Sequence, residues 1–158
     1  MSITLRYTGN PAFLNKTGYK TLHSAGCDVV CQVDTVIGRG ETVAIPTGYW
    51  IDGYTAYGDV NLMMPELQVR PRSGLSLRSP LRVANAPGTI DADYPNEICV
   101  LLWNIDEKGY FVAAGTPIAQ LVLNYVGRIG GVMGLNDIRI GGFGSTDSIN
   151  NLLPGVKQ

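Results

Sequence analysis

At 158 residues, with 45% hydrophobic and 16% charged residues, the chain reads as one globular domain, long enough to bury a core and too apolar for a disordered protein. A formal net charge of -1 argues against a protein built mainly to hold nucleic-acid backbone, and any anionic ligand must be met by locally placed cations or a metal. The three cysteines, Cys27, Cys31 and Cys99, are odd in number and form no C-x-x-C pair, which argues against a disulfide framework or a zinc site and for buried, reduced thiols.

Taken in chain order, the first ten residues lack the apolar core of a signal peptide, and no apolar run approaches a membrane span. A cytoplasmic protein without membrane or nucleic-acid partners is therefore expected. Twenty glycines and nine prolines punctuate short β-branched and aromatic runs at 29–37, 42–51, 60–64, 97–104 and 118–126. Short strands at this spacing predict an all-β sandwich or barrel. One brief helix is expected at 73–78, ending before Pro80. Beyond Ile138 the chain is rich in Gly, Ser, Asp and Asn. This divides it into a β-domain over 1–138 and a mobile C-terminal tail over 139–158.

Several chemistries lack their residues. The single His23 has no G-x-S-x-G elbow and cannot alone build a nucleophile–histidine site. Lys16-Thr17 follows Asn15 where a phosphate loop needs glycine. Clustered ligands for a transition metal are absent. Carboxylates, hydroxyls, backbone amides and a hard cation such as Mg²⁺ remain.

Four segments suit such chemistry. Pro71-Arg72-Ser73-Gly74-Leu75 joins a rigid turn, a cation, a hydroxyl and exposed backbone, a group able to wrap a phosphate. Gly88-Thr89-Ile90-Asp91-Ala92-Asp93-Tyr94 sets two carboxylates and an aromatic on a tight segment. Ile118-Ala119-Gln120-Leu121 places one amide inside an apolar strand. Gly141-Gly142-Phe143-Gly144-Ser145-Thr146 offers free backbone amides around one aromatic. Each alone also fits an ordinary turn, hairpin, strand or tail.

In this order, preceded by Ala25-Gly26-Cys27-Asp28, the segments resemble the five motifs of the trimeric, all-β dUTPase family, from about Ala25 to Thr146. The resemblance implies a distorted jelly-roll-like β-barrel with one short helix, assembled as a homotrimer whose sites are lined by more than one subunit. It implies Mg²⁺-dependent hydrolysis of dUTP to dUMP and pyrophosphate, which limits uracil in DNA and supplies dUMP for thymidylate synthesis.

Residue roles follow from the same resemblance. Asp91 matches the carboxylate that orients and deprotonates the water attacking the α-phosphorus, while Asp93 is expected to face outward. Tyr94 matches the ring that packs on deoxyribose and leaves no room for a 2′-hydroxyl. Asn85 matches an asparagine on the uracil edge. Arg72, Ser73, Gly74 and Gln120 match contacts to the phosphate chain, and Asp28 a carboxylate holding Mg²⁺ through water. Phe143 matches a ring stacked on uracil, with Gly144, Ser145 and Thr146 capping the γ-phosphate behind a closing lid.

Arg139 matches the leading arginine of the fifth motif, although the spacing to Gly141 is one residue short; Arg128 is the alternative cation. Pro95-Asn96 stands where a residue-plus-glycine is usual, and Asn there is compatible with a left-handed turn. The stretch 52–60 is longer than the family normally has and is read as an extended hairpin. Two alternatives stay open. One is a dCTP deaminase or bifunctional deaminase-diphosphatase of the sister family. The other is a catalytically idle relative that binds a regulatory protein partner through 52–60.

Overall fold

The N-terminal strand β1 (Ser2–Tyr7) alternates outward polar and inward apolar residues, with Ile3, Leu5 and Tyr7 packed on the core. In this computed structural model, which describes residues 2–56, 58 and 63–129, β1 pairs antiparallel with β5 (Tyr49–Thr55). A register shift opposite Thr4 and Leu5 leaves Asp52 as the extra residue of a bulge. The extended hairpin expected over 52–60 is described only in its first arm. Residues 52–55 belong to a strand whose partner among the described residues is β1, while 57, 59 and 60 lie outside the described residues.

A 3-10 turn (Pro11–Lys16) follows, started by the Asn10 side chain accepting from the Ala12 amide at 3.0 Å. The remaining strands are β2 (Cys27–Val30), β3 (Thr35–Ile37), β4 (Thr42–Pro46), β6 (Met63–Pro71), β7 (Leu81–Val83), β8 (Gly88–Asp91), β9 (Cys99–Asn104), β10 (Tyr110–Val112) and β11 (Pro117–Gly127). The one α-helix among the described residues, α1 (Ser73–Arg78), stands where the sequence predicts it.

Two predicted runs are divided. Run 29–37 breaks between β2 and β3, where Asp34 Oδ1 accepts from the Ala114 amide at 2.7 Å. Run 42–51 breaks at Thr47-Gly48. The Thr47 hydroxyl donates to the Ile98 carbonyl at 2.6 Å, and Gly48 has φ +77 with Gly9 so near that a Cβ would lie 2.7 Å from its Cα. Only glycine fits both demands.

Among the described residues the strands form a jelly-roll-like all-β fold of four sheets, ordered β1-β5, β10-β3, β2-β11-β6-β8 and β4-β9-β7. Val29, Ile37, Ile45, Val69, Ile98, Val100, Leu102, Ile118 and Leu121 fill the core at 0–2% exposure. Burying each large aliphatic side chain contributes about 1.5–3 kcal/mol. Asn104 and Thr47 are polar residues buried just as fully. Asn104 donates from Nδ2 to the carbonyls of Ile37 (2.9 Å) and Lys108 (2.7 Å) and accepts from the Asp106 amide (3.0 Å). It therefore ties β3 and the 105–108 turn to β9. Cys31 is buried as expected, but Cys27 and Cys99 are only partly so.

The four-stranded sheet positions the site. Val29, Ala119, Leu121, Leu67, Val69 and Ile90 turn to the core. Because side chains alternate, Asp28, Gln120, Arg70, Gln68, Glu66 and Asp91 share the opposite face. The register sets Asp28 beside Gln120, Gln120 beside Arg70, and Glu66 beside both Asn124 and Asp91.

Candidate phosphate site

β6 ends at Pro71, and the chain turns through Arg72 into α1. Arg72 occupies the N-cap position with extended backbone (φ -91, ψ 126), which frees its side chain to reach sideways across the sheet. Its Nε donates to Asp28 Oδ1 at 2.9 Å and its Nη1 to the Pro117 carbonyl at 3.3 Å. Nη2 has no partner among the described residues. The Asp28 side chain is 8% exposed and that of Arg72 29%, so this pair is largely withdrawn from water. Asp28 Oδ2 is buried without a hydrogen-bond partner.

Gln120 donates from Nε2 to the Pro71 carbonyl at 2.9 Å, which fixes its amide beside the turn. The loop before β2 crosses directly above it. A Cβ at Gly26 would collide with Gln120 Oε1, so a side chain there would have to displace the Gln120 amide. Asp28, Arg72, Ser73, Gly74, Gln120 and Gly26 thereby line one cavity of about 290 Å³ together with Lys20, Ser24 and Ala25. Five predicted residues from three separate segments meet here. Lys20 and Ser24 were missed by the sequence reading, and the available signal was a cation and a hydroxyl immediately before Ala25-Gly26-Cys27-Asp28. Burial pushes the Cys27 thiol up; the Gly18 backbone hydrogen bond and the Lys20 charge oppose this, while Asp28 adds to it.

The third segment lies apart. Asp91 ends β8, exposed and opposite Glu66, which is itself only 7% exposed. Glu66 Oε1 accepts from Gln68 Nε2 at 2.6 Å and Asn124 Nδ2 at 3.1 Å. Arg70 in turn donates from Nε and Nη2 to Gln68 Oε1 at 3.0 and 2.7 Å. This polar row also escaped the sequence reading. Three strand spacings of about 4.8 Å and four residues of about 3.3 Å put Asp91 roughly 20 Å from Asp28 along this face. A single chain does not bring the two carboxylates into one pocket.

Tyr94 is 8% exposed and packs on the core after a turn in which its amide donates to the Asp91 carbonyl at 3.1 Å. Burial pushes its phenol up, the Cys99 thiol adds to this, and a hydrogen bond with Asn96 opposes it. Asn85 is exposed, its amide folded against Gly88, where a Cβ would lie 3.0 Å from Asn85 Nδ2. Asp93 is exposed. Asn96 turns without left-handed geometry, since no non-glycine among the described residues has positive φ. Arg139, Phe143, Gly144, Ser145 and Thr146 lie outside the described residues.

A β-barrel that gathers a braced arginine, a hydroxyl, a glycine-bearing turn and a buried carboxylate at one cavity belongs to the class of phosphate-handling all-β proteins. The sequence profile of dUTPase matches residues 15–148. The deoxyuridine 5'-triphosphate nucleotidohydrolase of Desulfotalea psychrophila is 44% identical over 112 residues, covering 70% of this chain and 69% of that protein. The crystal structure of the Streptococcus mutans dUTPase superposes with a TM-score of 0.61 at 25% identity, covering 82% of this chain and 97% of that one. A mutant dUTPase from phage phi11 of S. aureus, whose structure describes the coordination of a structural Mg(II) ion, shares the fold at a TM-score of 0.65 and 16% identity, over 89% of this chain and 100% of that one. The chain belongs to the dUTPase family.

Proposed function

We propose that the protein hydrolyses dUTP to dUMP and pyrophosphate, with Asp91 orienting and deprotonating the water that attacks the α-phosphorus. The observation that carries this reading is the convergence of Asp28, Arg72, Ser73, Gly74 and Gln120 from three segments on one cavity. Arg72, held by Asp28 and Pro117, keeps Nη2 for a phosphate oxygen. Preorganised donors of this kind stabilise the charge that moves onto the departing pyrophosphate. The proton lost by water passes to the Asp91 carboxylate.

Mg²⁺ fits the donors present. Asp28 would hold the ion through water, its Oδ2 being a buried acceptor left without a hydrogen-bond partner. One carboxylate, waters and substrate phosphates would hold such an ion. Bound there, Mg²⁺ offsets phosphate charge.

In this reading Tyr94 is the wall against a 2′-hydroxyl and Asn85 contacts the uracil edge. Arg139, Phe143, Gly144, Ser145 and Thr146 cover the bound nucleotide. The separation of Asp91 from Asp28 supports sites completed between copies in a homotrimer, because a triphosphate is too short to join them within one chain. Sedimentation tests the assembly: a mass near one chain removes it. Product analysis with dUTP, dCTP, dTTP and UTP tests the activity. Pyrophosphate from dUTP alone is expected. Ammonia from dCTP would move the protein to the sister family of deaminases.

A further inference from the structure

The charge balance of the phosphate cavity is uneven. Among its described lining residues the charged groups are Lys20, Asp28 and Arg72. Arg72 is paired with Asp28 at 2.9 Å, so these two cancel. Lys20 forms no ion pair among the described residues; its Nζ donates to the Lys16 carbonyl at 2.8 Å, leaving ammonium hydrogens for another acceptor.

We infer that Lys20 is a phosphate-binding residue, supplying the uncompensated positive charge that draws the triphosphate into this cavity. The inference deepens the proposed function and rests on it for the identity of the anion. A lysine suits the task as a mobile point charge on a flexible stem, able to follow the phosphate chain from an exposed loop. Neighbouring Tyr19 and Leu22 line a second, more apolar depression with Thr21, Val122 and Leu123, and Ser24 and Ala25 border both.

The test compares wild-type protein with Lys20→Ala and Lys20→Arg. In Lys20→Ala the KM for dUTP should rise about tenfold while kcat stays within about twofold, the signature of lost ground-state binding from one charge-assisted contact. Lys20→Arg should restore most of the affinity, which a merely structural role would not require. Calorimetric titration with pyrophosphate reads the same contact without turnover, so it separates failure of this inference from failure of the dUTPase reading. Weaker pyrophosphate binding by Lys20→Ala supports the assignment even if dUTP is not turned over. Unchanged KM and unchanged pyrophosphate affinity overturn it, whatever happens to kcat.

Discussion

Arg72 Nε donates to Asp28 Oδ1 at 2.9 Å across 44 positions of sequence, joining the turn after β6 to the middle of β2. This contact aims the guanidinium and closes one wall of the phosphate cavity. Asp28→Asn keeps the shape but removes the charge. It should lower unfolding free energy by about 1–3 kcal/mol, because a partly buried guanidinium loses its counter-ion. It should also raise the KM for dUTP. Urea titration together with steady-state kinetics checks both; unchanged stability would show that Asp28 does not hold Arg72 in solution.

Asn104 offers a stability prediction away from the cavity. Asn104→Ala strips partners from the buried carbonyl of Ile37, the part-buried carbonyl of Lys108 and the Asp106 amide. A loss of about 2–4 kcal/mol is expected, with turnover per folded molecule unchanged. Thermal unfolding and active-site titration read the two effects separately.

Alkaline pH should destabilise the fold. Burial pushes the thiols of Cys27, Cys31 and Cys99 up, and the phenols of Tyr49 and Tyr94 likewise. Below the ordinary thiol range both folded and unfolded chains keep these protons, and the contribution is fully present. Above it, from roughly pH 9, the unfolded chain releases protons that the folded chain retains, so stability falls as pH rises and is lost through the raised folded values. Urea midpoints measured across neutral and alkaline pH should decline. A flat or rising midpoint would contradict the assignment of these groups as partly or fully withdrawn from water and neutral.

Asp91→Asn should abolish turnover while leaving dUTP binding nearly intact, since the amide preserves size but cannot take the water's proton. Isothermal titration and single-turnover assays check this. Retained turnover would place the base elsewhere.

Local chemistry was the legible part. Helix α1 announced itself by its short run before Pro80, and the phosphate turn by Pro71-Arg72-Ser73-Gly74-Leu75. Pairing across the sheet was not. Nothing in Ser2–Tyr7 names β5 as its partner, although its alternation of polar and apolar residues marks a strand. The Arg72–Asp28 bond and the burial of Glu66 depend on registers between strands far apart in sequence. Lys20 was overlooked because a loop lysine acquires meaning only from the cavity that the fold builds beside it.

The most direct test is product analysis with purified protein and Mg²⁺, offering dUTP and UTP in parallel and counting pyrophosphate. The account predicts stoichiometric dUMP and pyrophosphate from dUTP and none from UTP, with Tyr94 excluding the 2′-hydroxyl. Absence of pyrophosphate from dUTP, in protein shown to be folded, would contradict it.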